Sequence, residues 1–292
     1  MPIVSVCLPT YEPDPAYLKA AIESVLAQTF TDWELIIHDD ASKKDVIEVV
    51  RPFLSDPRIR FHRSDVRLRI GGNWNACAWM GSAPFVAYMF QDDLWHPDYL
   101  QRSLEVLQRE QDVGFTAADH TYLIEGSTAA SSTGIYGEVD ALRKSQMTEG
   151  RIHREAFLTA WIERGLRPNL IGEPSFVVLR RSLMEEVGPF LEDMKQGLDA
   201  EYWVRCLLRT DGWWLAGSLG EFRVHAAAAT AKNEESGAGK ADRLRIFRSL
   251  AKALPPGPMK TLAKRKLRWE FLGMMAKFFV RAAALRGRGT RR

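Results

Sequence analysis

The sequence predicts an α/β fold in which helices flank a mostly parallel sheet, followed by a basic helical tail. Short apolar, β-rich runs alternate with helical segments along residues 1–110. This alternation favours parallel strands joined by right-handed helical crossovers. The 292 residues, 46% hydrophobic and 26% charged, are enough for one large domain with an appendage.

Residues 1–110 are the first half of a predicted domain over residues 1–228. The spacing of apolar residues predicts strands over 3–8, 34–38, 58–62 and 85–90. The same spacing predicts helices over 15–26, 46–54, 73–80 and 97–109. Asp14 and Pro15 suit the N-cap and the first position of the first helix.

Residues 111–228 form the second half, in which the alternation is looser. Strands are predicted over 113–117, 121–124 and 174–179, with two short strands within 213–225, and helices over 151–164, 181–187 and 199–209. The Gly, Ser and Thr residues of 125–150 predict a mobile loop. Residues 229–240 are predicted as a linker, and residues 241–292 as a basic helical extension.

Charge is distributed unevenly along the chain. Residues 240–292 contain 16 Lys and Arg against two acidic residues, whereas residues 1–239 contain 24 basic and 35 acidic side chains. Such a tail favours an anionic partner. We expect no nucleic-acid partner, because the tail lacks an ordered aromatic and basic surface and the body is acidic.

Several functional classes lack their sequence motifs here. The first strand is not followed by Gly-x-Gly-x-x-Gly, and neither a P-loop nor a Cys-x-x-Cys pair occurs. There is no uncharged apolar run of 18 residues and no basic region ahead of an apolar one at the N-terminus. The three scattered cysteines do not suit a disulfide framework, so we expect a cytoplasmic protein.

Polar side chains follow three of the predicted parallel strands, where ligands of such sheets collect. The three strand ends are residues 9–12, Asp39-Asp40 and residues 91–93. The neighbouring carboxylates Asp92 and Asp93 suit a hard divalent cation that is shared with substrate phosphates. Capping of the helix that begins near Pro97 explains these two aspartates about equally well, and Asp39-Asp40 carries the same ambiguity.

Ordered motifs give the chain a family resemblance. They read VSVCLPTY at 4–11, SVLAQTF at 24–30, WELIIHDDAS at 33–42, QDDLWHPDYL at 91–100, IGEPS at 171–175, VGPF at 187–190, WVR at 203–205 and FRVH at 222–225. Together with Asp199 these motifs closely resemble the inverting family-2 nucleotide-sugar glycosyltransferases of GT-A fold, which have a Rossmann-like sheet. The resemblance covers residues 3–225.

The resemblance implies a donor site, and its residues come from the matching motifs. Asp39 would hydrogen-bond the base, Asp92 would hold the ribose or lie against the metal shell, and Asp93 would ligate Mg²⁺ or Mn²⁺. The remaining implied donor contacts are Pro9, Thr10, Tyr11, Glu12, Arg69, Asn73 and Asn75. Plain packing explains Tyr11 equally well, and a solvated surface charge explains Arg69 better.

On the acceptor side, Asp199 matches the catalytic base of the family. One carboxylate suffices for inversion, because it removes the proton of the acceptor hydroxyl as that hydroxyl attacks. The alternative is a helix N-cap, and both roles are compatible. His225 would complete the metal shell, although a hydrogen-bonded histidine at a strand end explains it slightly better. Phe90 and Leu198 stand where the family commonly has acidic residues.

The resemblance therefore implies an enzyme that moves a sugar from a nucleoside diphosphate, most simply UDP, to a hydroxyl of a glycan or lipid-linked glycan in cell-surface polysaccharide synthesis. The alternative function is a non-catalytic nucleotide-sugar or glycan-binding module. Such a module would lack metal-dependent donor hydrolysis.

The tail allows two interpretations. Lys260, Lys264 and Arg268 are spaced to share one helix face, and apolar residues are plentiful between Trp269 and Phe279. Such a helix suits the surface of an anionic membrane, which would place the protein at the inner face of the plasma membrane. Packing of residues 271–279 on the catalytic domain or on a second copy is slightly favoured, because the apolar residues surround the helix.

Overall fold

The structure is a computed structural model that describes residues 1–124, 129–225 and 238–289. Eight strands form the central sheet in the order β3-β2-β1-β4-β9-β6-β10-β8. These strands are β1 (Val4–Thr10), β2 (Trp33–Asp39), β3 (Ile59–Arg63), β4 (Phe85–Tyr88), β6 (Val113–Ala118), β8 (Gly150–Ile152), β9 (Val177–Arg180) and β10 (Asp211–Leu215). A second sheet contains β5 (Leu94–Trp95), β11 (Gly220–Val224) and β7 (Thr121–Ile124).

The helices follow the strands on both faces of the central sheet. They are α1 (Pro15–Leu26), α2 (Val46–Val50), α3 (Arg69–Trp79), α4 (Tyr99–Arg109), α5 (Ala129–Gln146), α6 (Arg154–Glu163), α7 (Arg181–Val187), α8 (Leu198–Leu207), α9 (Ala238–Ala253) and α10 (Pro258–Gly289). This architecture confirms the predicted fold class.

Strand β1 lies at the centre of the N-terminal half of the sheet and pairs in parallel with both β2 and β4. All seven of its residues are buried, as expected for a strand with helices on both faces. Strand β9 runs antiparallel to its neighbours β4 and β6, so it joins the two halves without a parallel crossover. The sheet is therefore mixed: β6 and β10 also pair in parallel beyond β9, while β9 and the edge strand β8 run antiparallel to their neighbours.

Two apolar cores lie on opposite faces of the sheet. One contains residues of α1, α2 and α4, including Leu18, Val46 and Leu104. The other contains residues of α3 and α6 to α9, including Tyr202 and Trp203. Each core buries one stripe of its helices, and this burial supplies most of the stabilisation that fixes the sheet.

Helix α5 occupies a segment that was predicted to be a mobile loop. The expectation for 125–150 was wrong from Ala129 onward, because tertiary contacts override its Gly, Ser and Thr content. Arg143 provides several of these contacts. Its buried guanidinium bonds to His120, Tyr122 and Glu173.

Helix α3 begins at Arg69, four residues earlier than predicted. The carboxylate of Asp40 accepts hydrogen bonds from the backbone N–H groups of Leu68 and Arg69. This interaction caps the helix from a distant part of the chain. The residues next to Leu68 in the sequence do not indicate that a helix begins here.

The C-terminal helices form a hairpin whose first part packs on the second half of the domain, residues 111–228. Helix α9 and the start of α10 bury Ile246, Phe247, Leu250, Leu254, Leu262 and Ala263 in the same core as Trp203. Most of the predicted linker 229–240 lies outside the described residues, but its last three residues belong to α9.

Further along α10, the apolar side chains face outward. Trp269, Phe271 and Leu272 are 68%, 47% and 60% exposed. The expectation that residues 271–279 pack on the catalytic domain is therefore wrong for Phe271 and Leu272, while the side chains of Phe278 and Phe279 lie outside the described part. Among the described residues, no helix combines the length and the apolar character that crossing a bilayer requires.

We expect Phe247→Ala to lower the free energy of unfolding by about 3–5 kcal/mol, because it removes a fully buried ring and leaves a cavity. Phe271→Ala in the same hairpin is the matched control and should change it by no more than about 0.5 kcal/mol. Urea unfolding of both variants measures the difference. Equal losses would contradict the packing described for α9.

Candidate active site

The carboxyl ends of β2, β1 and β4 lie side by side, as the sequence predicts, and the space above these strand ends is called the crevice below. The order of the strands reverses between β1 and β4, which is where ligands bind in sheets of this kind. The side-chain amide of Gln91 closes the gap between these two strands. Its Oε1 accepts the N–H of Tyr11 at 2.8 Å, and its Nε2 donates to the carbonyl of Tyr11 at 3.3 Å.

Asp39 organises the turn after β2, whereas the side chain of Asp40 caps α3. Asp39 is fully buried, and its carboxylate accepts hydrogen bonds from the hydroxyl and the N–H of Ser42. The hydroxyl of Ser42 also accepts the N–H of Glu12 at 2.8 Å, which joins this turn to the loop after β1. Asp39 thus ends β2 with its oxygens bonded to the protein, and its expected bond to a base stays a prediction.

The predicted donor contacts on the first loop differ in their exposure. Pro9 and Thr10 are buried within β1, whereas Tyr11 and Glu12 are half-buried. The guanidinium of Arg67 lies 3.8 Å from the centroid of the Tyr11 ring and covers one of its faces. Arg69 is exposed at the start of α3, so it is the side chain of this group with the freest access to solvent.

Asn73 and Asn75 lie beneath the crevice, but their amides are already bonded to the protein. Asn73 Nδ2 donates to the carbonyl of Thr10 at 3.0 Å, and its Oδ1 lies 2.6 Å from His38 Nδ1. Asn75 bonds both the N–H and the carbonyl of Phe190. Both side chains therefore support neighbouring backbone, and their expected contact with a donor stays a prediction.

Asp93 does not reach the crevice. The side chain is fully buried, Oδ2 accepts the hydroxyl of Ser175 at 2.5 Å, and Oδ1 accepts the N–H of Arg223 at 3.1 Å. Burial and the neighbouring charge of Asp92 raise the pKa of Asp93 well above its usual value. Both oxygens of Asp93 face protein donors, an arrangement that disfavours the expected ligation of a metal, which stays a prediction.

Asp92 is the more open carboxylate of the pair. Its Oδ2 lies 2.9 Å from His225 Nε2, and its backbone carbonyl accepts a hydrogen bond from Arg223 Nε at 2.9 Å. The Arg223 guanidinium also lies over the Tyr17 ring, 4.2 Å from its centroid. Residues at the end of β11 therefore fix both the backbone and the side chain of the Asp92-Asp93 turn.

The Asp92 and His225 side chains fit a divalent cation. Mg²⁺ and Mn²⁺ take a carboxylate oxygen readily and use few protein ligands when substrate phosphates complete the shell. Within the described ranges no group of three or more His, Cys, Asp or Glu side chains is placed to hold a metal. Any cation held here would therefore depend on the ligand for the rest of its coordination.

Asp199 lies in the first turn of α8, two residues after the N-cap Gly197, so it is not the cap itself. Asn169 Nδ2 donates to Asp199 Oδ2 at 2.8 Å. Burial, together with the charge of Glu173, raises the pKa of Asp199 to about 6 despite a bond from the Ala200 amide. A carboxylate with that pKa is a stronger base than an ordinary aspartate and is still ionised at neutral pH.

Glu173 lies between Asp199 and a buried cationic group. His120 Nε2 is 2.8 Å and Arg143 Nη2 is 3.2 Å from Glu173 Oε2. Burial alone would raise the pKa of Glu173, but His120 and Arg143 outweigh it and hold the pKa at about 2. Glu173 is therefore a fixed negative charge beside Asp199.

Sequence reasoning missed several residues that build this site. Four of them lie inside the motifs that carry the family resemblance: Gln91, Glu173, Ser175 and Arg223. The motifs indicated that these positions belong to the site but did not indicate what each side chain does. Asn169 lies outside those motifs. Only its bonds in the folded chain reveal it.

The family description "Glycosyl transferase family 2" matches residues 5–164, which is more than half of the chain. The chain belongs to glycosyl transferase family 2. This confirms the resemblance stated from the sequence, and glycosyl transfer is the role that membership supports. Inversion of the sugar is consistent with this family.

Two relatives show how far the similarity extends. The chain is 27% identical over 246 residues to "Uncharacterized protein MT1568" of Mycobacterium tuberculosis, covering 84% of this chain and 75% of that one. It is 30% identical over 105 residues to the Escherichia coli "UDP-Glc:alpha-D-GlcNAc-diphosphoundecaprenol beta-1,3-glucosyltransferase WfgD". That match covers 36% of this chain and 41% of WfgD.

Two solved structures confirm the GT-A fold. One is S. aureus TarS 1-349 in complex with UDP-GlcNAc, with a TM-score of 0.66 at 13% identity, covering 91% of this chain and 70% of that one. The other is the mannosyltransferase PcManGT from Pyrobaculum calidifontis in complex with GDP-Man and Mn²⁺. Its TM-score is 0.62 at 15% identity, and the match covers 99% of this chain and 79% of that one.

We expect Asp93→Ala to lower the free energy of unfolding by about 1–3 kcal/mol, because it leaves the buried Ser175 hydroxyl and Arg223 N–H without an acceptor. Asp92→Ala removes a more exposed side chain and should lower it by less than about 1 kcal/mol. Chemical denaturation without ligand compares the two. A larger loss for Asp92→Ala would contradict the supporting position assigned to Asp93.

Proposed function

We propose that this chain is a metal-dependent glycosyltransferase that moves a sugar, with inversion, from a nucleoside diphosphate to a hydroxyl of a glycan. The observation that carries the proposal is the partly exposed pair of Asp92 and His225, which lies after β4, beside the ends of β1 and β2. A diphosphate in this crevice would meet the pair at the point where the strand order reverses.

Asp92 and His225 would hold Mg²⁺ or Mn²⁺ together with the donor diphosphate. The cation would neutralise the charge that develops on the departing nucleotide, which is the main electrostatic requirement of the reaction. Asp93 supports this arrangement from within the core. Tyr11, Glu12 and the turn after β2 would enclose the nucleoside, with Arg69 within reach of solvent-facing donor groups.

Asp199 would act as the base. As the acceptor hydroxyl attacks the anomeric carbon, its proton passes to the Asp199 carboxylate, and the bond from that carbon to the diphosphate oxygen breaks. The raised pKa of Asp199 suits this task. One base is sufficient, since the leaving diphosphate needs charge neutralisation and no proton.

The donor and acceptor are inferred from the named relatives. UDP-linked sugars are favoured because the WfgD name specifies UDP-Glc and the TarS structure holds UDP-GlcNAc. The acceptor named for WfgD is a lipid-linked sugar diphosphate. We therefore propose a lipid-linked glycan acceptor in polysaccharide synthesis. The cytoplasmic face of the membrane would suit the three unpaired, buried cysteines.

UDP should raise the melting temperature of the protein in the presence of Mn²⁺, because a ligand bound only by the folded state stabilises it. Asp92→Ala should remove the part of this shift that depends on Mn²⁺, while the shift with EDTA stays unchanged. Thermal unfolding with UDP, GDP and their sugar derivatives measures both effects. If UDP raised the melting temperature of the wild-type protein equally with and without Mn²⁺, metal-assisted donor binding would be contradicted.

Asp199→Asn should lower the transfer rate by roughly 10²–10⁴-fold while UDP binding persists, since the variant removes the base and keeps the side-chain volume. In the wild-type protein, the rate should fall tenfold per pH unit below about pH 6, as the base becomes protonated. Asp193→Asn, at an exposed aspartate, is the control. Near-normal turnover by Asp199→Asn would refute the assignment.

We also propose that α10 contacts an anionic lipid surface. Its exposed Trp269, Phe271 and Leu272 lie beside the exposed cations Lys264 and Arg268. Aromatic and aliphatic side chains of this kind enter the interface, and each nearby cation adds about 1 kcal/mol of attraction to anionic lipid. A membrane contact here would bring the crevice to a lipid-linked acceptor.

The protein should cosediment with phosphatidylglycerol vesicles more strongly than with phosphatidylcholine vesicles, and salt should weaken the binding. The double variant Trp269→Ala with Leu272→Ala should reduce binding at least tenfold. Trp79→Ala with Leu54→Ala, which removes similar exposed residues elsewhere, should not. Unchanged vesicle binding in the first variant, or loss of a dimer instead of vesicle binding, would contradict the proposal.

A further inference from the structure

Asn169 lies in the segment between α6 and the short turn at Pro174–Phe176, and both polar atoms of its side chain are bonded. Its Nδ2 donates one hydrogen to Asp199 Oδ2 at 2.8 Å and the other to the carbonyl of Gly172 at 2.9 Å. Its Oδ1 accepts the N–H of Gly172 at 3.2 Å. This last bond fixes the orientation of the amide, because a flipped amide would set NH₂ against the Gly172 N–H.

The frame that holds Asn169 is itself rigid. Trp203 of α8 donates its Nε1–H to the Gly172 carbonyl at 2.8 Å, so the segment is tied to the helix that carries Asp199. Gly172 has a positive φ of 101°, and a Cβ at this position would lie 2.7 Å from Arg143 Nη2. Glycine is therefore required where the segment passes the buried Arg143 guanidinium. The bond from Trp203 and the contact with Arg143 together hold the segment that carries Asn169.

The groups around Asp199 act in opposite directions on its ionised form. Glu173 is the charged group that acts on Asp199 from the neighbouring segment, and it disfavours the ionised carboxylate. The Ala200 amide and Asn169 favour it. Arg143 and His120 lie behind Glu173 and bond to that carboxylate, not to Asp199.

We propose that Asn169 is a positioning residue for the Asp199 base: it fixes one carboxylate oxygen and stabilises the ionised form against the charge of Glu173. This inference rests on the proposed function only in calling Asp199 the base. The coupling between the two side chains is a property of the folded chain, so it is measurable without donor or acceptor.

The test is a double-mutant cycle of wild type, Asn169→Ala, Asp199→Asn and the double variant, with stability measured by urea unfolding at pH 5 and pH 8. Because its folded-state pKa is raised, Asp199 favours the unfolded state increasingly as the pH rises from about 4 to about 6. Asn169→Ala removes a hydrogen-bond donor to the ionised carboxylate, so the folded-state pKa of Asp199 should rise. The fall in stability should therefore continue over about one further pH unit.

The expected result is that Asn169→Ala increases the unfolding equilibrium constant about tenfold more at pH 8 than at pH 5. In the Asp199→Asn background, the increase should be the same at both pH values. Trp203→Phe is the control for a loosened segment, since it removes a bond to Gly172 without touching Asp199, and its effect should not depend on pH between these values.

Asn169→Asp is a second variant of nearly the same size, for use if the alanine variant does not fold. It replaces the donor with an acceptor beside Asp199 Oδ2 and should enlarge the pH dependence. An effect of either variant that is equal at pH 5 and pH 8, or that survives unchanged in the Asp199→Asn background, would overturn the proposal. Activity of Asp199→Asn is a separate readout, so failure of the proposed function leaves this result interpretable.

Discussion

The buried carboxylate of Asp93 is the interaction on which the geometry of the site depends. It joins the end of β4 to Ser175 and to the backbone of Arg223 in β11. These three parts of the chain are far apart in sequence, and their polar groups bond directly to one another. Breaking one of these bonds would leave a buried donor unsatisfied, which is more costly than the bond itself is stabilising.

The consequences of this link reach both sides of the crevice. On the donor side, it orients the turn so that Asp92 meets His225 while Asp93 faces inward. On the acceptor side, Ser175 belongs to the same segment as Glu173 and Gly172. Asn169 at the start of that segment bonds to Asp199. A single stretch of seven residues, 169–175, therefore connects the Asp92-Asp93 turn, proposed to bind the metal, with Asp199, the proposed base.

Sequence reasoning could predict the parts of this site that depend on local pattern. The ends of β1, β2 and β4 follow from the alternation of strands and helices, and Asp199 follows from the family motif. Which of two adjacent aspartates faces the crevice does not follow from either, because it is decided by Ser175 and Arg223, more than 80 residues away. The same limit applies to α5, whose buried Arg143 finds its partners on other elements.

The most direct test of this account is a crystal structure with UDP and Mn²⁺, in which anomalous scattering locates the metal. The account predicts a manganese peak within bonding distance of the Asp92 carboxylate and of the diphosphate, with Asp93 still bonded to Ser175 and Arg223. A peak on Asp93, with that side chain turned out of the core, would contradict it.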